Sequence, residues 1–342
     1  MFFRYVAASV LALSASLSAH AAEQALEIGY LPILPAAQLF VGLESGALLP
    51  EGEPAPKLVS FQSGPALTQA LIAGQLDVAY VGIGPALVAK AKGADVKVVA
   101  SNIVEQVNVV AIGELAAYFD PAKPVGAPDF AAAVARFTQE KGRKPLIASY
   151  PKGAVPEAAL QYWLRNVLKL QPDAVELIYQ GEAQIQQALS NHAVDAAAIL
   201  EPTVSQILKR QSDAKVLARG AELFPNQPGA VLLVRESLIQ DKPELVQHLV
   251  DAQVRSTAML RDDPAKATPY VQKYVGGGRL PKDVVQGAIE RSHDQFQADP
   301  GRIIEATRQL QDFQASLGTL NTKLDDVQSL FDTRFYQKAV SQ

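Results

Sequence analysis

The chain has 342 residues, a formal net charge of −4, 19% charged residues and 49% apolar ones. That length suggests two domains at roughly 100–200 residues each, and the weakly acidic balance, with no basic stretch, excludes an electrostatic footprint for nucleic acid. There is no cysteine, which excludes disulfides, a lipid-modified N-terminal cysteine, thiolate metal sites and cysteine nucleophiles.

At the N-terminus, Arg4 precedes an apolar or small stretch over residues 6–17, and Ala19-His20-Ala21 has the small-x-small form of a cleavage site. This is the pattern of a secretory signal peptide. It is too short for a membrane span, because polar Glu23-Gln24 follows before the roughly 20 apolar residues that a span needs. The expectation is a signal peptide over residues 1–21 and a mature, periplasmic protein starting near Ala22.

From residue 26 short β-rich runs alternate with helical stretches, the mark of an α/β fold with a mostly parallel sheet. Strands are predicted over residues 26–30, 57–61, 78–81, 96–100 and 107–112, then over 146–149, 175–179, 196–200, 215–218 and 230–234. A helix after Pro156 carries Leu160, Trp163, Leu164, Val167 and Leu168 on one face. Beyond residue 234 the chain reads as helical, with Gly276-Gly277-Gly278 between two helices.

The two series repeat one another. A shift of 118 positions, the distance from Gln69 to Gln187, superposes Gln69-Ala70-Leu71 on Gln187-Ala188-Leu189. It also pairs Gln62 with Gln180, Asp77 with Asp195, Ala79 with Ala197, and Asp95-x-Lys97-Val98 with Asp213-x-Lys215-Val216. A duplicated α/β unit explains an ungapped match across helix and strand.

In open α/β sheets, ligands bind beyond the carboxyl ends of the strands, where helices begin. Leu34-Pro35, Gly64-Pro65, Gly84-Pro85, Val155-Pro156 and Glu201-Pro202 all sit at such junctions. Proline suits the first helical turn, and the neighbouring N–H groups and helix dipole favour an anion. Any one junction is an ordinary turn, but five in register across a duplicated fold indicate a shared cleft. Glu201 carries two open readings, a ligand contact or a helix-start carboxylate. His192, His248 and His293 read as surface residues, and His293-Asp294 as pointing to different helix faces. No carboxylate pair, metal cluster or dinucleotide fingerprint emerges, so neither catalysis nor a cofactor is expected.

The order Ile28-Gly29-Tyr30, Phe61-Gln62-Ser63-Gly64-Pro65, Ala70-Leu71-x-Ala73-Gly74-x-Leu76-Asp77-Val78, Gly82-x-Gly84-Pro85 and Lys92-Gly93-Ala94-Asp95 resembles the nitrate/sulfonate/taurine type of ABC-transporter substrate-binding protein, related to thiamine-pyrimidine binders. Pro151-Lys152-Gly153, Tyr162-x-Leu164 and Val194-Asp195-Ala196-Ala197 through Glu201-Pro202 continue the likeness. The resemblance implies a two-lobed, type II periplasmic-binding fold, each lobe a mixed sheet flanked by helices. Lobe one would span residues 22–112 plus 222–342, and lobe two residues 113–221. It implies ligand contacts from Tyr30, Leu31, Pro32, Ser63, Gly64, Gly82, Ile83, Gly84, Pro85, Lys152, Gly153, Ala154 and Glu201. It also implies a monomer that delivers a small organic anion, a sulfonate or sulfate ester above others, to an inner-membrane permease and its ATPase. A ligand-presenting sensor subunit is the alternative, followed by an enzyme of the same fold such as a pyrimidine-precursor synthase. Ala154 stands where many relatives have serine, and the residues near Leu200 lack a common aromatic, which speaks against a simple nitrate ligand.

Overall fold

A computed structural model describes residues 25–120 and 125–341; the expected signal peptide lies outside them. Among the described residues ten strands form, all where the sequence pattern predicts them: β1 (Glu27–Tyr30), β2 (Lys57–Ser60), β3 (Val78–Gly82), β4 (Val96–Val104), β5 (Asn108–Ala111), β6 (Leu146–Ser149), β7 (Glu176–Tyr179), β8 (Ala196–Ile199), β9 (Lys215–Arg219) and β10 (Pro228–Arg235). They build two five-stranded sheets, ordered β2-β1-β3-β10-β4 and β7-β6-β8-β5-β9. The first three strands of each order are parallel, and β10 and β5 run antiparallel to their neighbours. Helices cover both faces of each sheet, so the central strands are apolar throughout rather than alternating. Val78, Ala79, Val81 and the whole of β8 are buried.

The two orders are the same order, and the duplicated sequence is its source. β1, β2, β3 and β4 correspond to β6, β7, β8 and β9, while β10 corresponds to β5. The aspartates shared by the repeats do the same work in each lobe. Asp77 Oδ2 accepts the N–H of Glu27 at 2.9 Å, and Asp195 Oδ2 accepts that of Leu146 at 2.7 Å. Each aspartate thereby ties the start of one parallel strand to its neighbour. Arginines complete both sites: Arg235 lies 3.4 Å from Asp77, and Arg143 grips Asp195 through two bonds of 2.6 and 2.8 Å.

The boundary between lobes differs from the expected one. Residues 108–111 were expected in lobe one, but β5 pairs with β8 and β9 in the second sheet. Its apolar run reads equally well in either sheet, and only its partners decide. The chain therefore crosses between sheets at residues 105–107 and returns at 220–227. The crossings are bonded together: Glu105 N–H donates to Gln227 O at 2.9 Å, Asn226 N–H to Glu105 Oε1 at 2.7 Å, and Gly220 N–H to Val107 O at 2.9 Å. A Cβ on Gly220 would fall 2.3 Å from Glu105 O, so this position takes only glycine.

After Pro156 the helix also departs from expectation. It is α-helical over Val155–Tyr162 and widens to a π-turn over Trp163–Val167. The wider turn rotates Val167 off the apolar face, where it is 39% exposed, while Trp163 stays buried edge-on to Phe130 at 4.8 Å. Past β10 the described chain is helical apart from loops and isolated bridges, and Gly276, Gly277 and Gly278 all adopt positive φ between two helices. His293 differs too. The α-helix ends at Ser292, so His293 enters a short 3-10 turn and its Nε2 lies 3.1 Å from Asp294 Oδ1, both side chains exposed.

Candidate functional site

The carboxyl ends of the strands from both sheets meet at one cleft. Its inner part, a cavity of about 40 Å³, is lined from lobe one by Leu31, Pro35, Gly64, Tyr80, Gly82 and Pro85, among others. From lobe two come Tyr150, Ala154, Val155, Pro156 and Leu200, with Gln106 from the crossing. Leu31 and Ile33 also line an outer cavity of about 610 Å³, which opens between the Tyr30–Ile33 loop, residues 60–62 and residues 273–279 on one side and Glu182, Gln186, Thr203 and Gln206 on the other.

No charged side chain lines the inner cavity. Its polar groups are two phenols and an amide, and all three lack a partner: Tyr80 Oη, Tyr150 Oη and Gln106 Oε1 are buried and unbonded within the protein. Leaving such a group unsatisfied costs about 1–3 kcal/mol, so a ligand that accepts from the two phenols, or donates to Gln106 Oε1, recovers part of that cost. Burial pushes the Tyr80 phenol well above its ordinary pKa, so it meets a ligand as a neutral hydroxyl.

Three helices begin on this cleft. The Gly64–Ile72 helix is capped by Ser63, whose Oγ accepts the N–H of Ala66 at 3.4 Å; the Ile83–Ala91 helix follows Gly82, and the Val155–Tyr162 helix follows Ala154. Each carries proline within its first turn, so their remaining first-turn N–H groups and dipoles converge on the same volume.

Of the thirteen residues expected at the site, Leu31, Gly64, Gly82, Pro85 and Ala154 line the inner cavity, and Tyr30 and Pro32 the outer one. Ser63 acts as the helix cap, and Ile83 is wholly buried beneath the cleft. Lys152 is exposed, its Nζ 5.5 Å from the centre of the Tyr179 ring. Gly153 has φ of 88°, donates its N–H to Glu157 Oε2 at 3.3 Å, and accepts from Gln314 Nε2 at 3.2 Å. The Glu201 carboxylate is engaged by protein: Oε2 accepts from the Ser205 N–H at 3.0 Å and from its hydroxyl, and Oε1 from Arg291 Nε at 2.9 Å.

At Gly82 and Gly84 the two lobes come into close approach. A Cβ on Gly84 would lie 2.9 Å from Gly153 O in the other lobe, and one on Gly82 would lie 3.0 Å from Val155 Cγ2. Their bareness lets the two lobes approach each other. One on Gly64 would meet Pro85 of the same lobe at 2.6 Å.

Tyr80, Gln106, Tyr150 and Glu182 escape a reading of the sequence. Tyr80 lies inside a strand and reads as core, Tyr150 and Gln106 follow strands without a motif, and Glu182 reads as an acidic first helical turn. The repeat holds the missing signal for the last, because the 118-residue shift carries Gly64 onto Glu182. Burial pushes the Glu182 carboxyl up to about 7, with the Thr203 hydroxyl bonded to its Oε1.

Among proteins of known assignment, the chain is 25% identical over 287 residues to a Bacillus subtilis (strain 168) protein that carries the name of an aliphatic sulfonates-binding protein, covering 84% of this chain and 79% of that one. Among solved structures, the alkanesulfonate-binding protein SsuA from Xanthomonas axonopodis pv. citri, bound to MOPS, superposes with a TM-score of 0.70 at 22% identity, covering 92% of this chain and all of that one (100%). The periplasmic nitrate-binding protein NrtA from Synechocystis PCC 6803 superposes with a TM-score of 0.76 at 15% identity, over 93% and 88% of the two chains. These likenesses establish the fold as that of type II periplasmic binding proteins. The profile of the NMT1-like family matches residues 19–273, and the protein belongs to that family.

Proposed function

We propose that the protein is the exported, periplasmic solute-binding subunit of an ABC importer. It captures a small organic anion, a sulfonate or sulfate ester before others, and hands it as a monomer to a membrane permease driven by an ATPase. The observation that carries this reading is the inner cavity, where three helix starts and the unbonded hydroxyls of Tyr80 and Tyr150, one from each lobe, face one small volume. Neutral donors and helix dipoles suit an oxyanion, whose charge is spread over several acceptors. The family, and relatives named for alkanesulfonate and nitrate binding, support it.

A thermal-shift panel of alkanesulfonates, sulfate esters, carboxylates, nitrate, pyrimidines, amines and sugars tests the reading. A ligand at 100 times its Kd stabilises the folded state by about 2.7 kcal/mol, a rise of several degrees in Tm. Stabilisation by neutral sugars or simple cations alone overturns the anion reading.

A further inference from the structure

We propose that the Ile304–Ser316 helix is a strap that draws the two lobes together before any solute arrives, gripping lobe two through the adjacent residues Phe313 and Gln314. Its bearing on affinity rests on the solute-binding reading above; the closure itself does not.

The helix is anchored on lobe one. Ile303, just ahead of it, and Leu310 within it are buried in the core, and it packs on the Ile83–Ala91 helix. Gln311 exchanges two bonds with Leu324, Nε2 donating to its carbonyl at 3.1 Å and Oε1 accepting its N–H at 2.9 Å. Further on, the Asp332 N–H donates to Val98 O of β4 at 2.9 Å. The segment is thus fixed to lobe one on either side of the helix's last turn, and that turn packs on the Val155–Tyr162 helix of lobe two.

Two contacts make the grip. Gln314 is wholly buried, and its Nε2 donates to Gly153 O, 3.2 Å away in lobe two. Gly84 leaves room for both groups, since a Cβ there would lie 2.8 Å from Gln314 Nε2 and 2.9 Å from Gly153 O. The receiving loop is held from within its own lobe, where the Gly153 N–H donates to Glu157 Oε2 at 3.3 Å. Phe313 meets Tyr162 of lobe two edge-on, with ring centres 5.2 Å apart, and Tyr162 stacks at 4.0 Å on Phe224 of the returning crossing. Lobe one, lobe two and the crossing share one aromatic cluster, in geometries that attract.

Both contacts join protein to protein, so neither waits for a ligand to bridge the cleft. Opening would return the Gln314 amide and the Gly153 carbonyl to water, so the strap biases the lobe equilibrium without locking it. A solute that binds the closed form then finds it already populated, which raises its apparent affinity in proportion.

The lobe distance in protein dialysed free of solute tests this. The chain has no cysteine, so spin labels on Lys92→Cys in lobe one and Gln171→Cys in lobe two, both exposed positions, report that distance by pulsed electron paramagnetic resonance. The parent should hold at least about one-fifth of its population at the distance of the packed lobes, above the roughly 0.1–10% of an ordinary minor state. Gln314→Met, which keeps the side-chain length and loses the donor, and Phe313→Leu, which loses the ring, should each cut that fraction about threefold or more. Gln309→Ala, at an exposed position of the same helix, should leave it unchanged. A helix with a merely structural role would lower the melting temperature of the two variants and keep the parent's distances. The proposal is overturned if the parent shows only separated lobes, or if either variant, once folded, keeps the parent's closed fraction. That result leaves the solute-binding reading standing, and failure of every anion to bind leaves the strap standing.

Discussion

Arg291 reaches across the cleft to Glu201, its Nε 2.9 Å from Oε1 of a carboxylate that is only 5% exposed. The arginine belongs to the Lys282–Ser292 helix on the lobe-one side, and the glutamate follows β8 of the second sheet. Ser205 joins them, bonded to both. Lys209 of the Thr203–Arg210 helix and Asp283 of the Lys282–Ser292 helix form a second, exposed pair. The contact therefore exists only while the lobes are together. Arg291→Met should weaken ligand affinity about tenfold, because about 1.4 kcal/mol is lost when a buried acceptor is stranded by a partly exposed donor. Small-angle scattering should show a larger mean radius of gyration at equal ligand saturation. Unchanged affinity and radius would show that the pair plays no part in closure.

Gly84 lies against Gly153 O, with no room for a side chain. Gly84→Asp should abolish the thermal shift produced by ligand, by wedging the lobes apart and adding negative charge beside the helix starts. Asp299→Asn, in a half-buried turn remote from the cleft where the carboxylate accepts the Gly301 N–H at 2.8 Å, should leave the shift intact. Differential scanning fluorimetry of both variants decides the matter.

Asp195 ties β6 to the loop before β8 and holds Arg143 bidentately. Asp195→Ala should destabilise lobe two by about 1–3 kcal/mol, since it strands a strand-end N–H and an arginine. Its counterpart Asp77→Ala should cost less, because Arg235 stands further off, at 3.4 Å, and also donates to the carbonyls of Gly74 and Leu76. Urea unfolding midpoints of the two variants give the ranking.

The Glu182 carboxyl is neutral in the folded protein up to about pH 7, whereas in the unfolded chain it ionises near 4.3. Between those values unfolding releases a proton, so this group's contribution to stability falls as pH rises and levels off above 7. Glu157 pushes in the same direction, since burial raises its pKa despite the Gly153 N–H and nearby Lys152. Glu182→Gln should therefore melt higher than the parent at pH 8, by an amount on the order of 1–3 kcal/mol, and about equally at pH 5. An equal gain at both values would refute the assignment.

All ten strands and the duplication were legible because fully covered parallel strands need apolar runs, and helices after them need proline or glycine junctions. Asp77 and Asp195 stood out as a repeated pair before their common bond to a strand end was visible. Partnership was not legible. Residues 108–111 are apolar enough for either sheet, and nothing local to them distinguishes β10-like from β5-like pairing. The Val167 face was lost to a π-turn, which depends on packing rather than on periodicity. Within the site, glycine and proline at helix starts announced themselves, whereas Tyr80 and Tyr150 look like core until both sheets are brought face to face. Glu201 was marked as a junction residue, but its partner lies 90 residues further on, beyond any local pattern.

The double crossing governs the order in which the molecule can be assembled as it emerges from a ribosome. All five strands of the second sheet are present once residue 219 has appeared, so that lobe can fold as a unit. The first sheet cannot, because among the described strands β4 neighbours β10 alone, and β10 ends at Arg235. For more than a hundred residues of synthesis, β4 therefore waits as an unpaired strand, exposed to the pairing errors that open edges invite. A chain truncated before Pro228 would hold a finished C-terminal lobe joined to an N-terminal half that cannot close its own sheet.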